Sequence, residues 1–251
     1  MRPLADLDVH GVRVVLFDVD DTLTTQGKLT AEAYGALEAL RGAGLLSVAV
    51  TGRAAGFCEY AARMWPIDAI VGENGGFWFR SIGGKLEREY REPADVRARN
   101  RERYAVISRS ILAAVPGCAV ASDERYRETD FTIDYAEEVP KLPPEAVERI
   151  EGLMRRERLH VAISSIHIHG WFGDYDKRIT SCALLAKHFQ LDPASAVFIG
   201  DSPNDASMFA AFPKSVGVAN VLRYPVCKPE FVTQRSSGAG FVEFVAHLLR
   251  R

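Results

Sequence analysis

Cysteine is scarce and scattered: the 251-residue chain has 4, at positions 58, 118, 182 and 227, with no Cys-x-x-Cys pair. That spacing speaks for neither a zinc site nor a disulfide framework, and most of the four read as small apolar residues of the interior. Excess charge is missing too, with 31 Lys and Arg against 33 Asp and Glu and a net charge of −2. The chain therefore lacks the basic field that nucleic acid or an anionic membrane surface would require. No apolar run is long enough to span a bilayer, and Met1–His10 carries no signal-peptide core, so a cytoplasmic location is expected. Repeats and low-complexity tracts are absent as well. What is plentiful is apolar material, 47% of the residues, enough for a real core in one large domain or two modest ones. The expected partner is a small molecule; the oligomeric state is left open.

The first half alternates strand and helix. Arg13–Phe17, Leu45–Val50 and Ala69–Val71 read as strands, and Thr30 N-caps a helix to about Ala43. A second helix from about Ala54 to Met64 stops near Pro66. The pattern returns after Gly170, with Ile179, Cys182, Leu185, Ala186 and Phe189 at helical spacing, then strands at Ala196–Ile199, Ser215–Val218 and Phe231–Thr233. A last helix carries Phe241, Phe244, Val245 and Leu248 on one stripe. Such alternation predicts a parallel sheet wrapped by helices. Between about Ser81 and Gly170 the order changes to helix (Asp95–Ala114), two strands (Cys118–Ser122, Phe131–Tyr135), helix (Pro143–Glu157) and two strands (His160–Ile163, Ile166–His169). The predicted fold class is therefore α/β, a Rossmann-like parallel-sheet core of residues 1–80 and 171–251 with an inserted α+β cap domain at 81–170.

Two acidic clusters stand out, Asp18-Val19-Asp20-Asp21-Thr22 and Gly200-Asp201-Ser202-Pro203-Asn204-Asp205. Each follows an apolar run that reads as a buried strand, so both emerge on the carboxyl edge of a parallel sheet. Asp18, Asp20, Asp201 and Asp205 converging there need a cation, and Mg²⁺ suits a few carboxylates plus water and a phosphate. Asp18 and Asp20, two apart in extended chain, face one site, where one carboxylate can attack phosphorus and the other can move the proton. A strand end running into a turn would also explain a lone Asp-x-Asp-x-Thr. Likewise Ser202, Pro203 and Asp205 suit a plain helix start. Two such starts after two buried strands are better explained by a metal site, with Asp201 as ligand and Asn204 and Asp205 as ligands or orienters. Thr51-Gly52-Arg53, after the strand ending at Val50, offers a hydroxyl, a close-approach glycine and helix N–H groups for a phosphate. Lys177 can neutralise phosphoryl oxygens as a point charge.

Together, Asp-x-Asp-x-Thr at 18–22, Thr51, Lys177 and Gly-Asp-x-x-Asn-Asp at 200–205 resemble the four ordered motifs of the haloacid dehalogenase superfamily. The resemblance implies Asp18 as nucleophile, Asp20 as general acid/base, and Thr51, Gly52, Lys177 and Asn204 around the phosphate. It also implies Mg²⁺ held by Asp18, the Asp20 carbonyl and Asp201, assisted by Asp205. The insert, entered through Glu73-Asn74-Gly75-Gly76, resembles the type IIB cap of Cof-like and sugar-phosphate phosphatases. Asp21 departs from the pattern, since many relatives carry glycine there. The implied activity is Mg²⁺-dependent hydrolysis of a small phosphorylated metabolite, a sugar phosphate by preference, through an aspartyl-phosphate. A phosphotransferase of the phosphomannomutase kind and a non-catalytic phosphate-binding regulator are the alternatives. In the cap, Arg125, Arg127 and His169 are the expected substrate contacts; His167 and His169 share a strand face, and Trp171 and Phe172 read as hinge packing.

Overall fold

The computed structural model describes residues 1–250. Its core is one nine-stranded sheet, with β1 (Arg2–Pro3), β2 (Val14–Phe17), β3 (Leu46–Val50), β4 (Ala69–Gly72), β5 (Phe77–Ile82) and β6 (Lys85–Tyr90) from the first half of the chain. The cap sheet has four strands, β7 (Ala119–Val120), β8 (Phe131–Asp134), β9 (His160–Ile163) and β10 (His167–Trp171). The core resumes with β11 (Ala196–Gly200), β12 (Lys214–Gly217) and β13 (Phe231–Val232). The core order is β1-β13-β12-β11-β2-β3-β4-β5-β6, parallel from β1 to β4 and antiparallel at the β5–β6 edge.

Every residue of β2 and β11 is buried, because helices cover both faces of the sheet. Val15 and Phe17 pack with α1 (Ala31–Gly42), α2 (Ala55–Met64) and the final helix of the core (Ser237–Leu248) through Leu37, Cys58, Phe241 and Phe244. Val14 and Leu16 point the other way, towards Leu184, Met208 and Phe209. Thr30 caps α1 as expected, its hydroxyl accepting the Ala33 N–H at 3.2 Å.

One junction differs from the expected one. Lys85–Tyr90 pairs with Phe77–Ile82 as the outer strand of the core sheet, so the core continues to Tyr90 rather than ending at residue 80. The hairpin is hard to read in sequence because its outer strand is charged, has no buried residue and lacks a clean alternation. The cap helices α3 (Ala94–Ala114) and α4 (Pro144–Arg156) bury Tyr104, Ile107, Ile150 and Met154 against Phe131, Ile133 and Ile168. The alternation of β8 and β10 then leaves Thr132, Asp134, His167 and His169 on the opposite face, looking towards the core. Trp171 and Phe172 are both packed: the Trp171 indole N–H donates to the Tyr175 carbonyl, and Phe172 stacks on Tyr104.

Candidate active site

β2 and β11 lie side by side in parallel register, with Phe17 opposite Ile199. The Asp18 N–H extends that ladder to the Ile199 carbonyl at 2.9 Å. The two acidic clusters must therefore leave the sheet next to each other. Carboxylate oxygens of Asp18, Asp201 and Asp205, all buried, lie within 4.8 Å of one another. Lys177 opens helix α5 (Lys177–Leu184), which Asp176 caps by accepting the Ile179 N–H at 2.6 Å. Gly75, at φ +107°, allows that helix start to approach: a Cβ there would stand 2.2 Å from the Asp176 carbonyl oxygen. The Lys177 ammonium donates to Asp18 Oδ1 at 2.7 Å and Asp205 Oδ1 at 2.8 Å.

Three buried carboxylates thus cluster around one ammonium, which Asp18 and Asp205 share. Burial, reinforced by Asp205 and Asp20 and opposed by Lys177, pushes the Asp18 carboxyl up to about 8. Burial and then Asp18 and Asp205 also raise Asp201. Burial works against the charge of Lys177, but Asp18 and then Asp205 hold it above the ordinary lysine range. A cluster so short of positive charge is one that could hold a metal ion, with Asp18, Asp201 and Asp205 as the available ligands. Asp201 is oriented for that role: Thr22 Oγ1 donates to its Oδ1 at 3.1 Å and Asn220 Nδ2 to its Oδ2 at 3.0 Å. Asp205 is more committed, accepting the Asp201 and Ser202 N–H groups at 3.1 and 3.4 Å besides Lys177. The helix-start reading of Asp205 and its place in the cluster are therefore both present. Asp21, the departure from glycine, sits at φ +58°, a left-handed conformation that Asp tolerates better than most residues.

Asp20 shares the cavity with Asp18 but is far more exposed, its side chain 37% accessible against 5%. Arg53 grips it as a fork, Nε 2.9 and 3.1 Å from the two carboxylate oxygens and Nη2 on Oδ1. Thr51 is wholly buried, and its hydroxyl accepts the Arg53 N–H at 3.1 Å. The first N–H of α2, at Ala55, goes to Glu73 Oε1 at 2.8 Å. Two of the donors near the start of α2, the Arg53 and Ala55 N–H groups, thus already have partners, while Gly52, Ser202 and Asn204 do line the cavity.

The cavity, about 210 Å³, lies between this edge and the polar face of the cap sheet. His169 lines it, buried, with Nδ1 2.9 Å from Thr132 Oγ1, the residue opposite it in the β8–β10 register. Burial holds the His169 imidazole below its ordinary range. Arg127 also lines the cavity, but its guanidinium is consumed by Asp123, by Asp130 at 2.9 Å and by the Gly52 carbonyl at 3.0 Å. It bridges cap to core rather than offering a free charge to substrate. Arg125 is not brought to the site; it lies exposed over the Tyr126 ring. A second bridge is Glu73, whose buried carboxylate accepts the N–H groups of Glu128, Thr129 and Asp130 and the Thr129 hydroxyl. None of Asn220, Glu137 and Ser165, whose hydroxyl meets Asp21 at 3.2 Å, is marked by any local motif; the topology alone brings them here.

The haloacid dehalogenase-like hydrolase family model matches residues 175–243, the stretch that carries Lys177, Asp201 and Asp205. Over nearly its whole length the chain is similar to proteins named phosphoglycolate phosphatase. The one from Methanoculleus marisnigri is 28% identical, covering 93% of this chain and 95% of the relative. The one from Haloarcula marismortui is also 28% identical, covering 92% and 95%. The likeness to the haloacid dehalogenase-like hydrolases therefore rests on this motif-bearing stretch, and the full-length likeness is to phosphatases. In structure the chain is similar to the Thermoplasma acidophilum protein 0175, with a TM-score of 0.76 over 95% of this chain and 99% of that one, at 20% identity. That likeness supports the α/β fold with its second, antiparallel sheet as cap. No helix among the described residues is long and apolar enough to cross a membrane.

Proposed function

We propose that this protein is a haloacid dehalogenase-like hydrolase, a Mg²⁺-dependent phosphatase of a small phosphorylated metabolite, a sugar phosphate by preference, acting through a phosphoryl group carried on Asp18. The class of phosphoric monoester hydrolase is supported by the phosphatase names of the full-length relatives. The observation that carries the reading is the buried Asp18, Asp201 and Asp205 cluster with one ammonium, opening beside Asp20 into a cavity. A cation bound at Asp18 and Asp201 would supply the missing positive charge and screen the nucleophile from the incoming phosphate. Lys177, fixed between Asp18 and Asp205, keeps Asp18 oriented and adds a positive charge beside the attacked phosphoryl group.

In this mechanism Asp18 attacks phosphorus while Asp20 delivers a proton to the leaving oxygen, and Asp20 then takes a proton from the water that cleaves the acyl phosphate. Arg53 holds Asp20 at the cavity mouth, beside the space the leaving oxygen and the attacking water would occupy. The test is phosphate release from a panel of phosphorylated metabolites with Mg²⁺, beside EDTA and Asp18→Asn controls. Metal-dependent release that disappears in folded Asp18→Asn is expected, and full activity in that variant would refute the reading. Adding free sugar to the same assay distinguishes transfer from hydrolysis.

A further inference from the structure

Resting on the phosphatase reading, we propose that the cap wall of the cavity selects an uncharged, hydroxyl-bearing leaving group and turns away a carboxylate, with Glu137 as the specificity-determining residue. The cap wall is rich in acceptors and hydroxyls: Asp123, Glu137, His167, His169 and the serines at 122, 164 and 165. Glu137 is held in place although its side chain is 44% exposed, because the Asp134 carboxylate accepts the N–H groups of Ala136, Glu137 and Glu138 at 2.9, 2.8 and 2.8 Å. Glu137 Oε2 lies 2.9 Å from His167 Nε2, near enough for an ion pair but too misaligned to hydrogen-bond, so that buried ring nitrogen has no hydrogen-bond partner. On the same wall His169 turns Nε2 towards Gly52, where a Cβ would come within 3.2 Å of it. With Nδ1 against Thr132 and Asp130, Nε2 is the nitrogen left to meet a hydroxyl.

Positive charge on this wall is already spent. Arg127 is taken by Asp123, Asp130 and the Gly52 carbonyl, and across the cavity Arg53 is taken by Asp20. A leaving group that ends in a carboxylate would therefore meet Glu137 with no free cation to receive it, whereas a polyol presents donors that Glu137 and His169 accept. A repulsive charge of this kind sets specificity as surely as an added contact. The preference runs against phosphoglycolate, after which the two sequence relatives are named.

The experiment compares kcat/KM for a hexose 6-phosphate and for phosphoglycolate in the Mg²⁺-loaded wild type and in Glu137→Gln. The hexose phosphate should be favoured more than tenfold by the wild type, and that ratio should fall by about tenfold in Glu137→Gln, the effect of one like charge at a partly screened site. Preference of the wild type for phosphoglycolate, or a ratio untouched by the substitution, overturns the proposal. Hydrolysis of p-nitrophenyl phosphate, whose leaving group has neither carboxylate nor polyol, tests the phosphatase reading separately. Calorimetric binding of the same two phosphates to Asp18→Asn reads the preference without turnover: tighter hexose phosphate binding supports the proposal even in an inactive protein, and equal, absent or reversed preference overturns it.

Discussion

Replacing Lys177 by Met keeps much of the side-chain volume and deletes the ammonium that Asp18 and Asp205 share at 2.7 and 2.8 Å. Without it the metal-free cluster must hold an unpaired buried charge, which costs about 3–5 kcal/mol, or bind a further proton. Protonating a carboxyl of ordinary acidity at pH 7 costs about 4 kcal/mol, which sets the upper end. For a chain of this size a loss of ~3–4 kcal/mol lowers Tm by roughly 6–15 °C. The assay is thermal melting in EDTA and in millimolar Mg²⁺. The variant's native state binds more protons than its unfolded state, so its deficit should shrink as pH falls from 7 to 5. Mg²⁺ should raise Tm more in the variant than in the wild type, because the cluster it enters carries one positive charge fewer. A drop below about 2 °C in EDTA, or a deficit that grows on acidification, would show that Lys177 does not neutralise the cluster in the way its geometry indicates.

Thr22→Val and Asn220→Ala each remove one donor from Asp201, and the Mg²⁺ concentration for half-maximal activity should rise by about 10-fold or more in each, read from a metal titration. Glu73→Ala strands the N–H groups of Ala55, Glu128, Thr129 and Asp130; a loss of more than about 2 kcal/mol by urea denaturation is expected, with new proteolytic cleavage near Glu128–Asp130. His169 has a folded pKa below its ordinary 6.5, so its neutral ring contributes stability above pH 6.5 that is lost as pH falls through the folded value. Urea midpoints measured from pH 7.5 down to 5 should therefore decline, and His169→Gln should flatten part of that slope.

The core elements were legible because their causes are local. A fully apolar run marks a strand covered on both faces, a capping threonine marks a helix start, and the β2–β11 neighbourhood follows once both runs belong to one parallel sheet. The charged hairpin strand Lys85–Tyr90 was not legible, since it is stabilised by pairing at a sheet edge and carries no periodic apolar face. In the cap, sequence alternation placed His167 and His169 on one face, but a sequence shows residue type and not the state of a side chain. Arg127 reads as a free cation until Asp123, Asp130 and the Gly52 carbonyl are seen around it, and Arg125 reads as its equal although it lies outside the cavity.

By itself, then, the amino-acid sequence determined the α/β class, the two acidic strand ends and the chemistry they suit, because periodicity and residue type act within a few positions along the chain. Only the tertiary structure decided which charges remain free. Asn220 reaches Asp201 across 19 residues, Glu73 reaches Thr129 across 56, and Lys177 reaches Asp18 across 159. Pairings of that separation depend on how the sheet and the cap pack together, and the desolvation that gives each carboxylate its character exists only once they have packed.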